Sequence, residues 1–312
     1  MVLLLQYMLL FASVLALVAL GGCFSEHSGI INLGLEGIMV VGALGGALVL
    51  KYMPVDVPGF ITVIVTLVGA IAFGMLYSAL LGVAAIHFNA DQTLIGTAMN
   101  MLATAVSAVI VKAINLSADS SDVSSVVYYI DNRPDLTVQI GGFEFNWFML
   151  VAVVAVIAAY VVLYKTRFGL RLMACGENPQ AANSVGIDVF KMRWAGVLIS
   201  GMLGGLGGIA YITAGSSWTF ENGVAGYGFL ALAVMIFGQW KPHRIALAAL
   251  LFGFFRSLGS VYSGIPLLAS MNIPSTVYNL LPYIISLIVL AFSSKNSMAP
   301  KAEGIPYDKS TR

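Results

Sequence analysis

The amino-acid sequence predicts an all-α protein, a polytopic bundle of about eight to ten transmembrane helices. Hydrophobic residues make up 59% of the 312-residue chain and charged residues only 9%, whereas a soluble domain carries about a quarter charged residues. The apolar residues form continuous runs, which argues against a transmembrane barrel, where they would alternate with polar ones. Residues 2–24 and 148–164 contain no charge. Because hydrocarbon offers no partners to backbone polar groups, such runs are expected to be helices.

Nine apolar segments are predicted to span the membrane, since a span needs about 20 predominantly apolar residues. They are Val2–Phe24, Ile38–Met53, Phe60–Phe88, Leu94–Ile114, Trp147–Tyr164, Trp194–Ala214, Tyr227–Trp240, Ile245–Tyr262 and Val277–Phe292. The second follows Ser25–Gly37, a polar stretch rich in glycine, so a re-entrant or broken helix is an open alternative there. The whole chain, residues 1–312, is predicted to form one transmembrane domain.

Lysine and arginine concentrate in three segments, and this bias predicts the orientation. Residues 165–193, the turn at 241–244 and the tail from residue 293 are basic, and alternation of nine spans places all three on one side. That side is assigned to the cytoplasm, together with the C-terminus. Their basic residues are Lys165, Arg167, Arg171, Lys191, Arg193, Lys241, Arg244, Lys295, Lys301, Lys309 and Arg312.

The loop 115–146 is rich in acidic residues and is predicted to lie outside the cell. Its charged residues are Asp119, Asp122, Asp131, Arg133, Asp135 and Glu144. With nine spans the N-terminus is expected outside as well. An additional span near Ser25–Gly37 would move it inside.

The first segment ends in Leu20-Gly21-Gly22-Cys23, which has the form of a lipoprotein cleavage site. A signal peptide normally begins with basic residues, and none precedes this segment, so we expect it to remain as the first helix. Cys23 and Cys175 both fall toward the predicted cytoplasmic side and are expected to be free thiols.

The loop 165–193 is predicted to contain a short helix, Pro179–Val185. Asn178 is a good N-cap, and Pro179 suits the first helical position, where its missing N–H costs nothing. Gly186 suits the residue just past the helix end. A capped helix between two spans is a rigid element on which a partner can push. An ordinary ordered loop is the other interpretation.

This loop also carries a family resemblance. Ala174-Cys-Gly-Glu-Asn-Pro-Gln-Ala-Ala182, followed by Gly186-Ile187, resembles the coupling segment of permeases in the branched-chain amino acid, ribose and nucleoside group of ABC importers. Ile31-Asn-Leu-Gly-Leu-Glu-Gly-Ile-Met39 resembles the same group, and the resemblance extends from about Asn32 to Phe292. The segments most similar to the nucleoside-type permeases are Asn89-Ala-Asp-Gln92, Gly96-Thr-Ala-Met-Asn100, Gly226-Tyr-Gly-Phe229 and Ala231-Leu-Ala233.

The resemblance implies a type II-like ABC importer permease in a bacterial cytoplasmic membrane. In that group two permeases pair in the bilayer, ATP-binding subunits bind the coupling helices, and an extracellular substrate-binding lipoprotein delivers the solute. A sister permease is the expected second subunit, because the nucleoside-type systems look heteromeric. The residues that the resemblance assigns to ATPase contact are Glu177, Asn178, Pro179, Gln180, Ala181, Ala182 and Gly186.

We expect no cofactor on this chain itself. The sequence contains no Gly-Lys dipeptide, so it lacks the glycine-rich loop that cradles ATP phosphates. ATP and Mg²⁺ are therefore expected on the partner subunit. The hypothesis for the mechanism is alternating access, in which ATP-driven closure of the partner pushes the helix 179–185 and the spans rock around a central cavity.

Four polar residues near membrane depth are candidates for the substrate path, because leaving them in lipid is costly. Asn32 and Glu36 would share a face if their stretch is helical, and with Asn100 they can hydrogen-bond a ribose or a base. The structural alternative for Asn32 and Glu36 is a cap at the start of the second span. For Asn100 it is an interhelical hydrogen bond. Arg256 requires an acidic partner, a cavity or snorkelling, and a structural role is favoured.

Two further patterns concern packing and anchoring. Glycines cluster at 42–46 and 201–208, and such spacing lets helix backbones approach closely. Trp218, Phe220 and Tyr227 are interpreted as anchors at the outer membrane boundary, with stacking on a nucleobase as the alternative.

Nucleosides are the predicted substrates, with simple sugars and branched-chain amino acids as alternatives. An ion-coupled secondary transporter is the alternative from another class. It would place carboxylates within the membrane, and only Glu36 and Asp91 lie near that depth. An enzyme is disfavoured, because His27, His87 and His243 form no zinc motif or evident nucleophile pair. No metal site is predicted, and no basic tract suits nucleic acid.

Overall fold

The fold is a helical bundle, seen in a computed structural model that describes residues 2–54, 56–129, 136–214, 218–264, 270, 274–293 and 298–308. The helices are α1 (Val2–His27), α2 (Leu35–Tyr52), α3 (Gly59–Gly82, continued by a π-helical turn at Val83–His87), α4 (Gln92–Ala118), α5 (Trp147–Lys165), α6 (Arg167–Glu177), α7 (Pro179–Ser184), α8 (Val189–Ala214), α9 (Tyr227–Phe237), α10 (Pro242–Val261, continued by a 3-10 turn at Tyr262–Gly264) and α11 (Ser275–Ser293). Helices α1 to α5, α8 and α10 are long and apolar enough to cross a membrane. The predicted polytopic helical bundle is confirmed.

Helix α1 lies at the centre of the bundle, where it packs against α8, α10, α9 and α5. Every residue from Leu10 to Glu26 is buried. A helix surrounded by other helices has to be apolar on all sides, which explains why α1 shows no polar stripe. The Cys23 thiol lies within this core and donates to the Trp240 carbonyl oxygen at 3.2 Å. Both cysteines are free, as predicted.

The glycines of α2, α3 and α8 bring these three helices into backbone contact. A Cβ atom added at Gly42 would overlap with the backbone of Gly205, and one added at Gly208 would overlap with the Met39 carbonyl oxygen. Gly74 approaches the Gly201 carbonyl oxygen in the same way. The close packing predicted from the glycine spacing is confirmed.

Helix α9 is shorter than the predicted span. With 11 residues and a rise of 1.5 Å per residue it is about 16 Å long, roughly half of the hydrocarbon thickness. The Tyr227 ring at its start contacts Phe11 in the middle of α1, with ring centroids 5.9 Å apart. Trp240, just beyond its end, contacts Cys23 near the C-terminus of α1. The prediction of a full crossing over 227–240 is wrong, because residues 218–226 descend into the bundle without helical structure.

Helix α2 also begins inside the protein. Residues 28–34 leave α1 as a non-helical segment and α2 starts at Leu35. The alternative of a broken helix near Ser25–Gly37 therefore describes this region better than a continuous connection between spans.

Three basic segments meet at one end of the bundle, which we call the basic end. His27 Nε2 donates to the Trp240 carbonyl oxygen at 3.0 Å. The backbone N–H of Ala302 donates to the Gly176 carbonyl oxygen at 2.8 Å. Glu177, Lys241 and Lys301 line one cavity, so segments 165–193, 238–242 and 298–308 are neighbours, as the charge bias predicted. The basic residues Lys295, Lys309 and Arg312 lie outside the described residues.

The opposite end contains short strands that the all-α prediction missed. Strand β1 (Val127–Tyr128) pairs antiparallel with β4 (Thr219–Phe220), and β2 (Thr137–Ile140) pairs with β3 (Phe143–Asn146). These elements cap the apolar bundle where the loop 115–146 crosses it. Of the charged residues in that loop, Asp131, Arg133 and Asp135 lie outside the described residues.

Candidate functional site

The N-termini of the two internal helices meet through Glu36. Its carboxylate accepts hydrogen bonds from the backbone N–H groups of Gly226, at 2.8 Å, and Gly228, at 2.6 Å. The first N–H groups of a helix have no partner within the helix, and a carboxylate at a helix N-terminus is also favoured by the helix dipole. Glu36 therefore caps α9 although it belongs to the first turn of α2. We call residues 32–37 and 226–229 the α2–α9 joint.

Two asparagines fix the α2 side of this joint. Asn100 accepts a hydrogen bond from the Gly37 N–H at 2.8 Å and donates to the Leu33 carbonyl oxygen at 2.9 Å. Asn32 donates to Ser200 Oγ at 2.9 Å and accepts from the Gly34 N–H at 3.1 Å. Asn32 and Glu36 would share a helix face only if the stretch were helical, and it is not, because Asn32 precedes the helix, which begins at Leu35. The arrangement holds the start of α2 against α4, α8 and α9.

Arg256 lies on α10 beside a cavity of about 430 Å³ in the half of the bundle opposite the basic end. Its guanidinium lies 4.9 Å from the centroid of the Phe11 ring and donates to Asn279 Oδ1 at 2.7 Å. The cavity is lined by Tyr7, Phe11, Tyr211, Ile212, Ala214, Thr219, Glu221, Gly223, Arg256 and Ser260. Its volume lies within the range of small-molecule pockets. An acidic partner, a cavity and snorkelling were the three possibilities for Arg256, and the structure shows the cavity.

The three aromatic residues interpreted as membrane anchors are buried. Trp218 retains 2% of its accessible surface, Phe220 none and Tyr227 1%. Trp218 packs edge-on against Tyr129, and Tyr227 lies 4.7 Å from the Tyr211 ring. The interpretation as interfacial anchors is wrong, because the segment before α9 enters the protein. Tyr227 instead connects the α2–α9 joint to the wall of the cavity.

The predicted capped helix in the basic loop is present as α7, Pro179–Ser184. Asn178 Oδ1 accepts from the Ala181 N–H at 3.0 Å, which is the predicted N-cap. Gly186 has φ +85° just past the helix, a conformation that costs glycine little. Within this segment Ala182 faces the protein interior and is buried. The exposed residues are Gln180, Ala181, Ser184 and Val185. The segment therefore presents one free face at the basic end.

The electrostatics differ between the two ends. Hydrogen bonds from the backbone and side chain of Ser121 hold the pKa of Asp119 below its usual value, and those from Ser124 do the same for Asp122. These carboxylates stay charged at the end opposite α7. Near α7, burial raises the pKa of Cys175 to about 11, so this thiol remains protonated. Among the described residues, no group of His, Cys, Asp and Glu is arranged to hold a metal ion.

The amino-acid sequence is similar to those of known transport permeases. The family described as branched-chain amino acid transport system / permease component matches residues 4–291. The nucleoside ABC transporter permease protein NupC of Lactococcus lactis subsp. cremoris is 39% identical over 97% of this chain and 96% of its own length. The guanosine ABC transporter permease protein NupQ of Bacillus subtilis is 39% identical with the same coverage. A glucose ABC transporter permease, TsgB13 of Haloferax volcanii, is 31% identical over 52% of this chain and 40% of its own.

These matches cover nearly the whole chain, and they agree with the apolar helices and with the resemblance of the basic loop. The chain is therefore a multi-pass membrane protein that belongs to the permease component family of branched-chain amino acid transport systems.

Proposed function

We propose that this chain is the membrane-spanning permease subunit of an ATP-driven nucleoside importer. The observation that carries the proposal is the 39% identity, over almost the full length, to two permeases that are named for nucleoside and guanosine transport. The basic end faces the cytoplasm, as the concentration of Lys and Arg there predicts. The end with the acidic loop faces outward, toward a substrate-binding lipoprotein.

In this proposal the ATP-binding subunit docks on the exposed face of α7. A short helix that is capped at both ends and packs against the protein through its buried residue Ala182 can transmit a push without unwinding. The contact surface comprises Glu177, Asn178, Pro179, Gln180, Ala181 and Gly186, and Ala182 faces the interior of the protein. A second permease, expected to be a sister chain, completes the path through the membrane.

The cavity beside Arg256 is the proposed outer part of the substrate path. A nucleobase can stack on the guanidinium or on the Tyr211 ring, and the Glu221 carboxylate can accept hydrogen bonds from ribose hydroxyls. The α2–α9 joint lies next to this cavity through Tyr227. The joint is held by Glu36, Asn32 and Asn100, which therefore act on the substrate path indirectly. A rearrangement of the joint would open the cavity toward the basic end during alternating access.

A sugar is the second candidate substrate, because the glucose permease TsgB13 shares 31% identity over half of this chain. A nucleoside contains a ribose, so a polar cavity wall serves both classes. The two substrates differ in the base, which only aromatic or guanidinium surfaces can stack. Competition between the two classes therefore separates them.

The decisive experiment measures uptake of radiolabelled guanosine, adenosine and uridine by cells that lack this chain and by the same cells after complementation. The wild-type chain should restore uptake, and unlabelled nucleosides, but not glucose or leucine, should compete. Uptake of labelled glucose or leucine, but of no nucleoside, by the complemented cells would reassign the substrate. Uptake that persists without ATP but collapses with the proton gradient would indicate an ion-coupled carrier.

Two matched variants test the docking surface in the same cells. Val185→Asp places a charge on the exposed face at α7, where the valine is 75% exposed, and Val123→Asp does so at the opposite end, where the valine is 66% exposed. We expect Val185→Asp to abolish uptake and co-purification with the ATP-binding subunit, and Val123→Asp to preserve co-purification. Equal co-purification of the two variants would contradict docking at α7.

A further inference from the structure

The C-terminal segment 298–308 crosses the basic end beneath α7, and we call it the strap. Its backbone is held at two places. The Ala302 N–H donates to the Gly176 carbonyl oxygen at 2.8 Å, and the Gly304 N–H donates to the Gly29 carbonyl oxygen at 3.2 Å. The first bond attaches the strap to the end of α6, just before α7. The second attaches it to the segment that leads from α1 into the α2–α9 joint.

Tyr307 anchors the strap directly under α7. It is 3% exposed and packs with Cys175, Ala182 and Val189 in a small apolar cluster. Its ring lies 5.4 Å from that of Phe190. Because Ala182 is the buried residue of α7, the Tyr307 ring supports the helix from the side opposite its exposed face.

A buried arginine ties the strap to the start of α8. Arg193 is 1% exposed, donates to the Ile305 carbonyl oxygen at 2.9 Å and lies 5.8 Å from the Tyr307 ring centroid. A Cβ atom added at Gly29 would lie 3.0 Å from this guanidinium, so the same side chain also borders the segment after α1. Burying a guanidinium is costly unless it has partners. Moving the strap away from Arg193 would remove those partners, so the strap and the start of α8 are expected to move together.

The strap therefore forms a packed connection between the coupling helix and the joint. Displacement of α7 moves Ala182 against Tyr307, and Tyr307 belongs to the same short segment as Gly304, which is bonded to Gly29. Gly29 is three residues before Asn32, the first residue of the joint. Coupling between distant sites can be carried by chains of packed side chains and hydrogen bonds of this kind.

We propose that the strap transmits the movement of α7 to the α2–α9 joint, with Tyr307 as the positioning residue that α7 pushes. The inference rests on the proposed docking of an ATP-binding subunit at α7. It extends that function by assigning a role to a C-terminal segment that lies outside the matched family region, residues 4–291. Loss of the strap would leave ATP hydrolysis running while transport lags behind it.

The test uses the assembled transporter in proteoliposomes and measures nucleoside transported per ATP hydrolysed. For Tyr307→Ala we expect this ratio to fall about three- to ten-fold while ATP hydrolysis stays near the wild-type rate. Tyr307→Phe should behave as wild type, because the Tyr307 hydroxyl makes no hydrogen bond among the described residues. Ile305→Ala, a truncation of an exposed side chain in the same strap, is the matched control. An unchanged ratio, or hydrolysis and transport that fall in proportion, would overturn the proposal.

A second measurement does not depend on the identity of the substrate. A spin label is attached at Phe229→Cys, an exposed position of α9 within the joint, while both native thiols are buried. Addition of ATP should change the spectrum of the label when the strap is intact and leave it unchanged with Tyr307→Ala. An ATP response that survives this substitution would overturn the strap as transmitter. Absence of nucleoside uptake by the wild-type transporter, with the ATP response present, would overturn only the proposed substrate.

Discussion

The Glu36 carboxylate on α2 and the Gly228 N–H on α9 are joined by a 2.6 Å hydrogen bond. The two helices start within the bundle and point in opposite directions, and a side chain of α2 caps the start of α9. The free N–H groups at a helix start need acceptors wherever water is absent. Two interrupted helices at this depth therefore depend on each other, which makes the joint a natural place for a conformational change.

Replacing Glu36 should destabilise the protein. Glu36→Ala removes the acceptor of two buried N–H groups, and we expect a loss of about 2 to 3 kcal/mol of unfolding free energy. Glu36→Gln keeps one acceptor oxygen and should cost less. Thermal unfolding in detergent measures both. Glu221→Ala is the control, because it removes an exposed carboxylate that does not cap a helix, in the half of the bundle opposite the basic end. Equal unfolding temperatures for Glu36→Ala and Glu221→Ala would contradict the capping role.

The backbone contact between α2 and α8 should tolerate no side chain. Gly208→Ala places a methyl group against the Met39 carbonyl oxygen, and overpacking of this kind costs about 1 to 3 kcal/mol. Gly223→Ala is the matched control, because nothing lies within 4 Å of a Cβ atom there. We expect thermal unfolding to shift downward for Gly208→Ala only. Ala is the better helix former, so a downward shift at Gly208 cannot come from helix propensity. Similar shifts for the two variants would contradict the backbone contact as the source of the cost.

Arg256 should influence substrate affinity more than folding. Arg256→Gln removes the guanidinium that stacks on Phe11 and faces the cavity. We expect the KM of nucleoside uptake to rise about ten-fold, which corresponds to about 1.4 kcal/mol, with Arg256→Lys less impaired. Arg244→Gln, at the exposed start of α10, should leave KM unchanged. A loss of membrane-inserted protein without a change in KM would assign Arg256 a purely structural role.

Membrane orientation is testable with the two exposed valines. A membrane-impermeant maleimide should label Val123→Cys in intact cells and Val185→Cys only after permeabilisation, because the basic end is expected to face the cytoplasm. The native cysteines are buried, so background labelling is low. Labelling of Val185→Cys in intact cells would reverse the orientation.

The strap should loosen as pH rises. Burial raises the pKa of Glu303, and a hydrogen bond with the Glu26 carboxyl lowers it in part. A carboxyl with a raised pKa in the folded state contributes stability that is complete below its unfolded pKa and is lost as pH rises through the folded pKa. Wild-type thermal stability should therefore fall more steeply than that of Glu303→Gln as pH rises above the ordinary pKa range of a glutamate.

Glu177→Gln supplies the control for this titration, because it removes an exposed carboxylate from the same end. Its stability should follow the wild-type slope with pH. If Glu303→Gln follows that slope as well, the Glu303 carboxyl does not titrate in this range and the strap is held independently of pH.

The sequence by itself determined the features that depend on neighbouring residues. Apolar runs gave the positions of the spans, because backbone groups in hydrocarbon must close their own hydrogen bonds. The Asn178, Pro179 and Gly186 signals predicted α7 and its caps, since capping is decided within one turn. Glycine spacing at 42–46 and 201–208 predicted tight helix packing, and the charge bias predicted which loops share an end.

Only the tertiary structure decided which distant groups meet. The partners of Glu36 lie 190 and 192 residues away, and nothing in the local pattern indicates them. The short length of α9 could not be predicted from the sequence either. Residues 218–226 resemble a membrane boundary in composition, but they enter the protein. The position of the strap could not be predicted from the sequence either, because it has no helical or strand periodicity. It is held by packing of Tyr307 in a cluster with Ala182 and by the bond from Gly304 to Gly29. Local propensity sets helices and caps, whereas contacts between remote segments are fixed only when the whole chain has packed.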